Sequence, residues 1–566
     1  MNLVNLFRRS PTELAFDSHT EPHYDVTAGQ LSFTLIWACC SILWLFRCTG
    51  KNNRESNGNR SENGKVSGVN GDAVSVSEKE KLLTLEDKSG QQITDSVANK
   101  PKNDQVVDVE KGTNIVATNE GNSGNTEKQS DVKTFSTVRP PPTTELFLKH
   151  VCLFGLLLFF FYLCDYRKVF PKLERIYNRD EFLFLVFLLF LVACAFTIRP
   201  TTDKILNRDQ TEEWKGWMQV MFVWYHVFAA KEWYNWIRVY IAAYVWMTGF
   251  GNFSFFWVRK DFSLWRFLKM QFRLNFLVTC ICVVTSNQYM LYYICAMHSY
   301  WFISVYVFMG VLKSWNTDSK KMALKFVAYF IFNSIIFEIP VVTNNIFKPF
   351  QFLLGYTEPE YKAMHEWAFR AGLDHWACFF GMLCAYNYPT FERFMNNLEK
   401  SDDWKKIIWT KCAMVNVCII ALLVWYKEVM GREKYAYNAL HPYTTPIPIV
   451  CFIIIRNAFP AWRTHYVELF AWLGKITLET YLSQLHIYLQ SNAKHFIGYI
   501  PNYHFLNFAL ATLIYLPVSY ALFNLTTEFS SYLLPNNLKV IAKNAVYIAL
   551  AFLVPYVGFT ILLAFY

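Results

Sequence analysis

Apolar residues recur along this chain in runs of about 17–25, the length that crosses a bilayer core as α-helix. "LFLVFLLFLVACAF" (183–196) is one such run and "IALAFLVPYVGFTILLAFY" (548–566) another. The pattern predicts an all-α fold, a polytopic transmembrane helical bundle of about 12–14 spans. The runs near 217–231 and 446–456 are short. They are expected to be broken or re-entrant helices, which a membrane accepts only where protein or a water-filled cavity covers the backbone. Short alternating strands of the kind that build a β-barrel are not found.

The same pattern divides the chain. Residues 1–27 read as an N-terminal tail and 28–47 as a retained first transmembrane helix. Residues 48–144 read as a disordered polar linker. This stretch is rich in Asn, Ser, Gly, Lys and Glu, and such a segment cannot bury enough apolar surface to offset its chain entropy. Residues 145–566 form a multi-span membrane domain.

Composition narrows the class. Hydrophobic residues make up 53% of the 566 and charged residues 17%, below the share of a soluble domain. The fourteen cysteines lie mostly in or beside apolar runs, among them Cys194, Cys280, Cys282 and Cys418. That placement suits small buried side chains better than disulfides. The net charge of +10 is spread over loops, with no cluster dense enough for nucleic acid.

Polar residues inside apolar runs carry the candidate chemistry. In "NRDQTEEWKGWMQVMFVWYHVFAAKEWYNW" (207–236), Asp209 followed by Glu212 predicts a helix N-cap with its capping partner. Lys215, Gln219, Phe222 and His226 then recur about once per turn and share a face. Ionisable groups at this depth face a cavity or a partner. A histidine that takes and returns a proton near neutral pH suits activation of a hydroxyl, so His226 is a candidate catalytic residue. The alternative is a histidine bonded to a neighbouring helix.

A second polar face lies in "LGKITLETYLSQLHIYL" (473–489), where Glu479, Ser483 and His486 fall on one side. Three residues along one helix point in parallel, whereas a nucleophilic triad gathers its members from different elements. A polar cavity lining and plain interhelical hydrogen bonding both stay open for this face; His486 is the second catalytic candidate, with Glu479 and Ser483 as cavity lining beside Lys215 and Gln219. "HEWAFRAGLDHW" (365–376) places Arg370 near the start of a span, where it could clamp a phosphate or carboxylate. It lacks the H-E-x-x-H zinc pattern, because Phe369 stands at the last position, and no metal is expected. "RKDFSLWRFLKMQFR" (259–273) interleaves Arg259, Lys260, Arg266, Lys269 and Arg273 with aromatics. Such a stretch could hold an anionic cofactor such as coenzyme A, or lie as a basic helix against membrane lipid.

"RDQTEEWKGWMQ", "YHVFAA", "VWMTGFGNFSFFWVRKDFS", "MLYYICAMH", "LFAWLGKITLETYLSQLHIYL" and "LHPYT" together resemble the capsule-acetylation and Reduced Wall Acetylation family of membrane O-acetyltransferases, which includes the membrane half of sialic acid O-acetyltransferase-like proteins. The likeness runs from about residue 145 to 530. It implies residence in the Golgi membrane, acetyl-CoA as donor and O-acetylation of a glycan acceptor. It also implies a functional His226, since related membrane acyltransferases use an intramembrane histidine. Two departures qualify it. Where animal members carry a luminal esterase-like module, this chain has the 48–144 linker, so acetyl groups are expected to pass to a separate luminal acetyltransferase or straight to the glycan. After "GLD" the family pattern has Arg and this chain has His375. The rival class is a transporter that moves acetyl-CoA, or an acetylated carrier, without chemistry.

Overall fold

The computed structural model describes residues 26–62, 143–350, 363–490 and 493–565. The chain is an all-α polytopic bundle, as the apolar runs predict. Its helices are α1 (Ala28–Glu62), α2 (Thr144–Phe161), α3 (Arg179–Phe196), α4 (Arg208–Val227), α5 (Tyr234–Arg259), α6 (Leu264–Thr285), α7 (Tyr293–Gly310), α8 (Ser319–Glu338), α9 (Pro340–Phe347) and α10 (Ala363–Leu373). They continue as α11 (His375–Glu399), α12 (Trp404–Trp425), α13 (Lys434–Thr444), α14 (Pro446–Ala458), α15 (Pro460–Arg463), α16 (Glu468–Lys475), α17 (Thr477–Ile487), α18 (His504–Leu533) and α19 (Leu538–Phe565). Short strands β1 (Lys172–Leu173), β5 (His495–Ile497) and β4 (Leu489–Gln490) make one antiparallel sheet. β2 (Ile198–Pro200) pairs with β3 (His465–Val467) in another.

Among the described residues, seven helices are long and apolar enough to cross a membrane, or up to nine if each of two bent helix pairs is one span. This is fewer than the twelve to fourteen that the apolar runs suggest. The difference lies in helices such as α4, α5 and α11, which carry polar and charged residues, among them the buried Gln210, Glu212, Arg238 and His375. The run at 446–456 is one half of a bent pair, α13 and α14, which meet at 59°. The first helix continues past the apolar run to Glu62, so it takes up the start of the expected linker. The remainder of that expectation, from 63 to 142, lies outside the described residues.

Close backbone contact sets the depth of the central helices. A Cβ added at Gly216 of α4 would lie 1.8 Å from the Phe470 carbonyl oxygen, and one at Gly474 would lie 1.9 Å from that of Glu212. Helices α4 and α16 therefore cross glycine to glycine. Helices α5 and α11 do the same: a Cβ at Gly249 would fall 2.3 Å from the Cys378 oxygen, and at Gly381 2.2 Å from the Trp246 oxygen. In an apolar medium such crossings replace the hydrophobic drive with dense packing. The first helix docks similarly, with Trp37 Nε1 donating to the Cys152 oxygen at 3.0 Å and its indole filling the space at Gly155.

Helix α4 begins two residues before the expected cap. Asn207 accepts from the Gln210 N–H at 2.8 Å, whereas Asp209 accepts from the Thr201 hydroxyl at 2.8 Å. Both residues suit a cap, and here the loop hydroxyl engages Asp209. All fourteen cysteines are free thiols.

Candidate active site

His226 occupies the last turn of α4. The helix stops there because the chain turns through Ala229, at φ 54°, into a short helical turn at Lys231–Trp233 and then α5. Arg175, from the segment after β1, donates to the His226 carbonyl at 3.0 Å. This satisfies a backbone acceptor that the helix end leaves open and sets a cation at the negative end of the helix dipole. The imidazole meets the edges of Phe222 and Tyr225, with ring centroids at 4.8 and 5.0 Å. Among the described residues no group bonds to either of its ring nitrogens. Arg175 and Arg370 both act on it electrostatically. Arg370, on α10, lies 3.4 Å from Glu366 and sits over the Tyr293 ring at 4.4 Å. Tyr481 of α17 also feels Arg370 and Tyr293, and packs on Phe222 at 5.9 Å. His226, Arg370, Tyr293 and Tyr481 thus converge from four helices.

His486 is placed differently. It is wholly buried, and its ring stacks on Phe161 at 5.1 Å. Nδ1 lies 3.1 Å from Asp165 Oδ2 and Nε2 lies 2.7 Å from the Tyr292 hydroxyl. Since a carboxylate only accepts, Nδ1 carries the hydrogen and Nε2 accepts from Tyr292. Asp165 belongs to a π-helical turn at Tyr162–Tyr166 that ends α2. Both ring nitrogens are engaged and none of the ring is exposed.

The other expected residues separate into distinct settings. Lys215 pairs with Glu212 at 2.6 Å. Gln219 is buried one turn before Phe222, and the Tyr244 hydroxyl donates to the Lys215 carbonyl beside it at 2.5 Å. Glu479 does not stand open to a cavity: Arg273 grips both its oxygens and Thr526 donates to it at 3.2 Å. Arg273 is thereby committed inward rather than toward a soluble anion. Ser483 is fully buried on the same face as Glu479 and His486. Arg266 is buried with its guanidinium 4.1 Å over Phe255, and Lys269 lies 5.0 Å over Trp265. Arg259 and Lys260 are exposed at the end of α5. The basic stretch is therefore not one anion-binding surface. No cluster of metal-ligating side chains is found among the described residues.

Two further polar groupings come together only in the fold. Arg238 donates to Asp374 at 3.1 Å, and His441 Nε2 lies 3.2 Å from the other Asp374 oxygen, with Tyr437 and Thr445 at its Nδ1. Tyr225 feels both Arg238 and Tyr293, so this buried network adjoins the His226 site. His298 bonds through Nδ1 to Thr248 Oγ1 at 2.8 Å, while Thr248 donates to the Tyr244 carbonyl at 3.1 Å. His375, where the family pattern has Arg, lies 3.2 Å from Glu338 and also bonds to the Gly372 carbonyl. It ties the end of α8 to α11.

Comparison with known proteins bears on the class of the chain. The N-acetylneuraminate (7)9-O-acetyltransferase of Danio rerio is 31% identical over 403 residues, which cover 67% of this chain. The chain spans about half, 50%, of that relative's length. No solved structure matches. Residues 96–546 match the 10 TM acyl transferase domain found in Cas1p. With four-fifths of its length matched, the chain belongs to that acyltransferase family.

Proposed function

We propose that the chain is a Golgi membrane O-acetyltransferase that uses acetyl-CoA to acetylate hydroxyls of a glycan, directly or by handing acetyl to a separate luminal transferase. The observation that carries the reading is His226: a half-buried imidazole with both ring nitrogens clear of hydrogen bonds from the described residues, on which Arg175 and Arg370 both act electrostatically. Family membership and the relative's O-acetyltransferase name support it.

In this mechanism His226 takes the proton of the acceptor hydroxyl as its oxygen attacks the thioester carbonyl. The carbon–sulfur bond then breaks, and the thiolate of coenzyme A leaves with the proton that His226 returns. Negative charge builds on the carbonyl oxygen in between, and Arg175 and Arg370 favour it there. A transient acetyl-imidazole is the variant in which His226 attacks first and the acceptor hydroxyl follows. Phe222 and Tyr225 hold the imidazole by edge contacts.

The test uses purified protein in liposomes, with acetyl-CoA labelled separately on acetyl and nucleotide. Acetyl transferred to a glycan acceptor with coenzyme A left on the side of addition is expected. Both labels arriving intact inside the vesicle would instead establish a transporter.

A further inference from the structure

Two glutamines near His226 are buried with unmet hydrogen-bonding capacity. Gln219 Nε2 has no partner, and neither Nε2 nor Oε1 of Gln484 has one. Their residues are 6% and 0% exposed. Gln219 Oε1 accepts a long bond, 3.5 Å, from the Tyr244 hydroxyl, and a buried amide left short of partners costs stability. Two such amides within one site call for a ligand that repays them.

Their placement says where such a ligand lies. Gln219 is one turn before Phe222 on α4, and Gln484 is one turn after Tyr481 on α17. Phe222 and Tyr481 touch, so both glutamines lie on the faces where α4 and α17 meet. Along α4 the contacts advance from Gly216, which lies against Phe470 and Gly474 of α16, to Phe222, which meets Tyr481 of α17, so the chain through α16 and α17 advances in the same direction as α4. Gln484, one turn beyond Tyr481, therefore lies toward the His226 end of α4. Gln219 lies seven residues of helix back along α4, roughly 10 Å. Ser483, also without a partner, precedes Gln484 and points about 100° around α17 from it, on the face of Glu479 and His486.

We infer that Gln484 and Gln219 are the amide contacts of the donor's pantetheine arm. This rests on the acetyl-CoA reading above and deepens it. Pantetheine is a narrow chain with one amide near the sulfur and a second further along. With the thioester at His226, Gln484 bonds to the near amide and Gln219 to the far one. An amide side chain both donates and accepts, so it matches a secondary amide where a charged residue would not. The nucleotide then lies beyond Gln219, toward the Lys215 end of α4.

The experiment compares acetyl-CoA with S-acetyl-N-acetylcysteamine, which keeps the near amide and lacks the far one. Gln484→Leu is expected to raise KM for both donors by about tenfold. Gln219→Leu is expected to raise it about tenfold for acetyl-CoA and much less for the truncated donor. In the absence of donor, both variants are expected to melt at or above the wild-type temperature, because leucine removes a buried, unsatisfied amide. Glutamines that merely hold the fold would show a lowered melting temperature and equal effects on the two donors, and that result would overturn the assignment. Unchanged KM in both variants, with normal transfer by the wild type, overturns it as well and leaves the acetyl-CoA reading standing. Failure of the wild type to take acetyl from coenzyme A overturns the donor reading and this assignment together.

Discussion

Arg238 and Asp374 form an ion pair at 3.1 Å with their side chains only 5% and 0% exposed. A charge so withdrawn depends on its partner, and removing one partner of such a pair costs about 3–5 kcal/mol. Arg238→Met is expected to lower the melting temperature of the detergent-purified protein sharply. Arg238→Met with Asp374→Leu is expected to cost clearly less than the sum of the two single changes. Additive losses in that thermodynamic cycle would show that the two charges do not depend on each other.

The two catalytic candidates separate by the same logic. His226→Gln is expected to leave the melting temperature near wild type and to cut acetyl transfer by about 10²–10⁴-fold. His486→Gln is expected to destabilise by about 1–3 kcal/mol, since it disturbs the bonds to Asp165 and Tyr292 in a fully buried site. Near-full transfer by the His226 variant would move the reaction centre elsewhere, and the half-buried His298 would be the next residue to replace.

Arg273 offers a choice between two roles for one residue. Its double contact with buried Glu479 predicts that Arg273→Met loses stability, by about 3–5 kcal/mol, rather than affinity for the donor. A variant with normal melting and a raised KM for acetyl-CoA would restore it to the donor-binding set.

Arg259 and Lys260 are the exposed members of the basic stretch. Neutralising both is expected to raise KM for acetyl-CoA a few-fold at low salt, with the difference shrinking as ionic strength rises. The titration against salt is the informative measurement. An unchanged constant in well-folded protein leaves these residues as contacts to lipid headgroups alone.

Periodicity within one helix was legible in the sequence, and contacts between helices were not. Gln219, Phe222 and His226 share a face because the helix repeats every 3.6 residues, and the structure keeps them together. The same argument grouped Glu479, Ser483 and His486 but could not tell that Arg273 comes from 206 residues away to close over Glu479. Nor could it tell that Asp165, 321 residues away, holds His486. Asp374 stood beside Arg370 in "HEWAFRAGLDHW" and His441 in "LHPYT", yet only the fold brings Arg238 and His441 to the Asp374 carboxylate. The cap at Asn207 was missed because Asn207 and Asp209 are equally suited to it, and a loop threonine decides between them.

The glycine crossings bear on how a mutational survey of this protein would read. At Gly216, Gly474, Gly249 and Gly381 the facing atom is a backbone carbonyl, which has no rotamer to yield. A saturation library scored only by acetyl transfer would reject nearly every substitution at these four positions, as firmly as at His226. None of the four touches the reacting atoms. Scored a second time for folded protein at the membrane, the glycines would drop out of the catalytic class and His226 would stay. Intolerance to change marks chemistry here only after the backbone contacts have been subtracted.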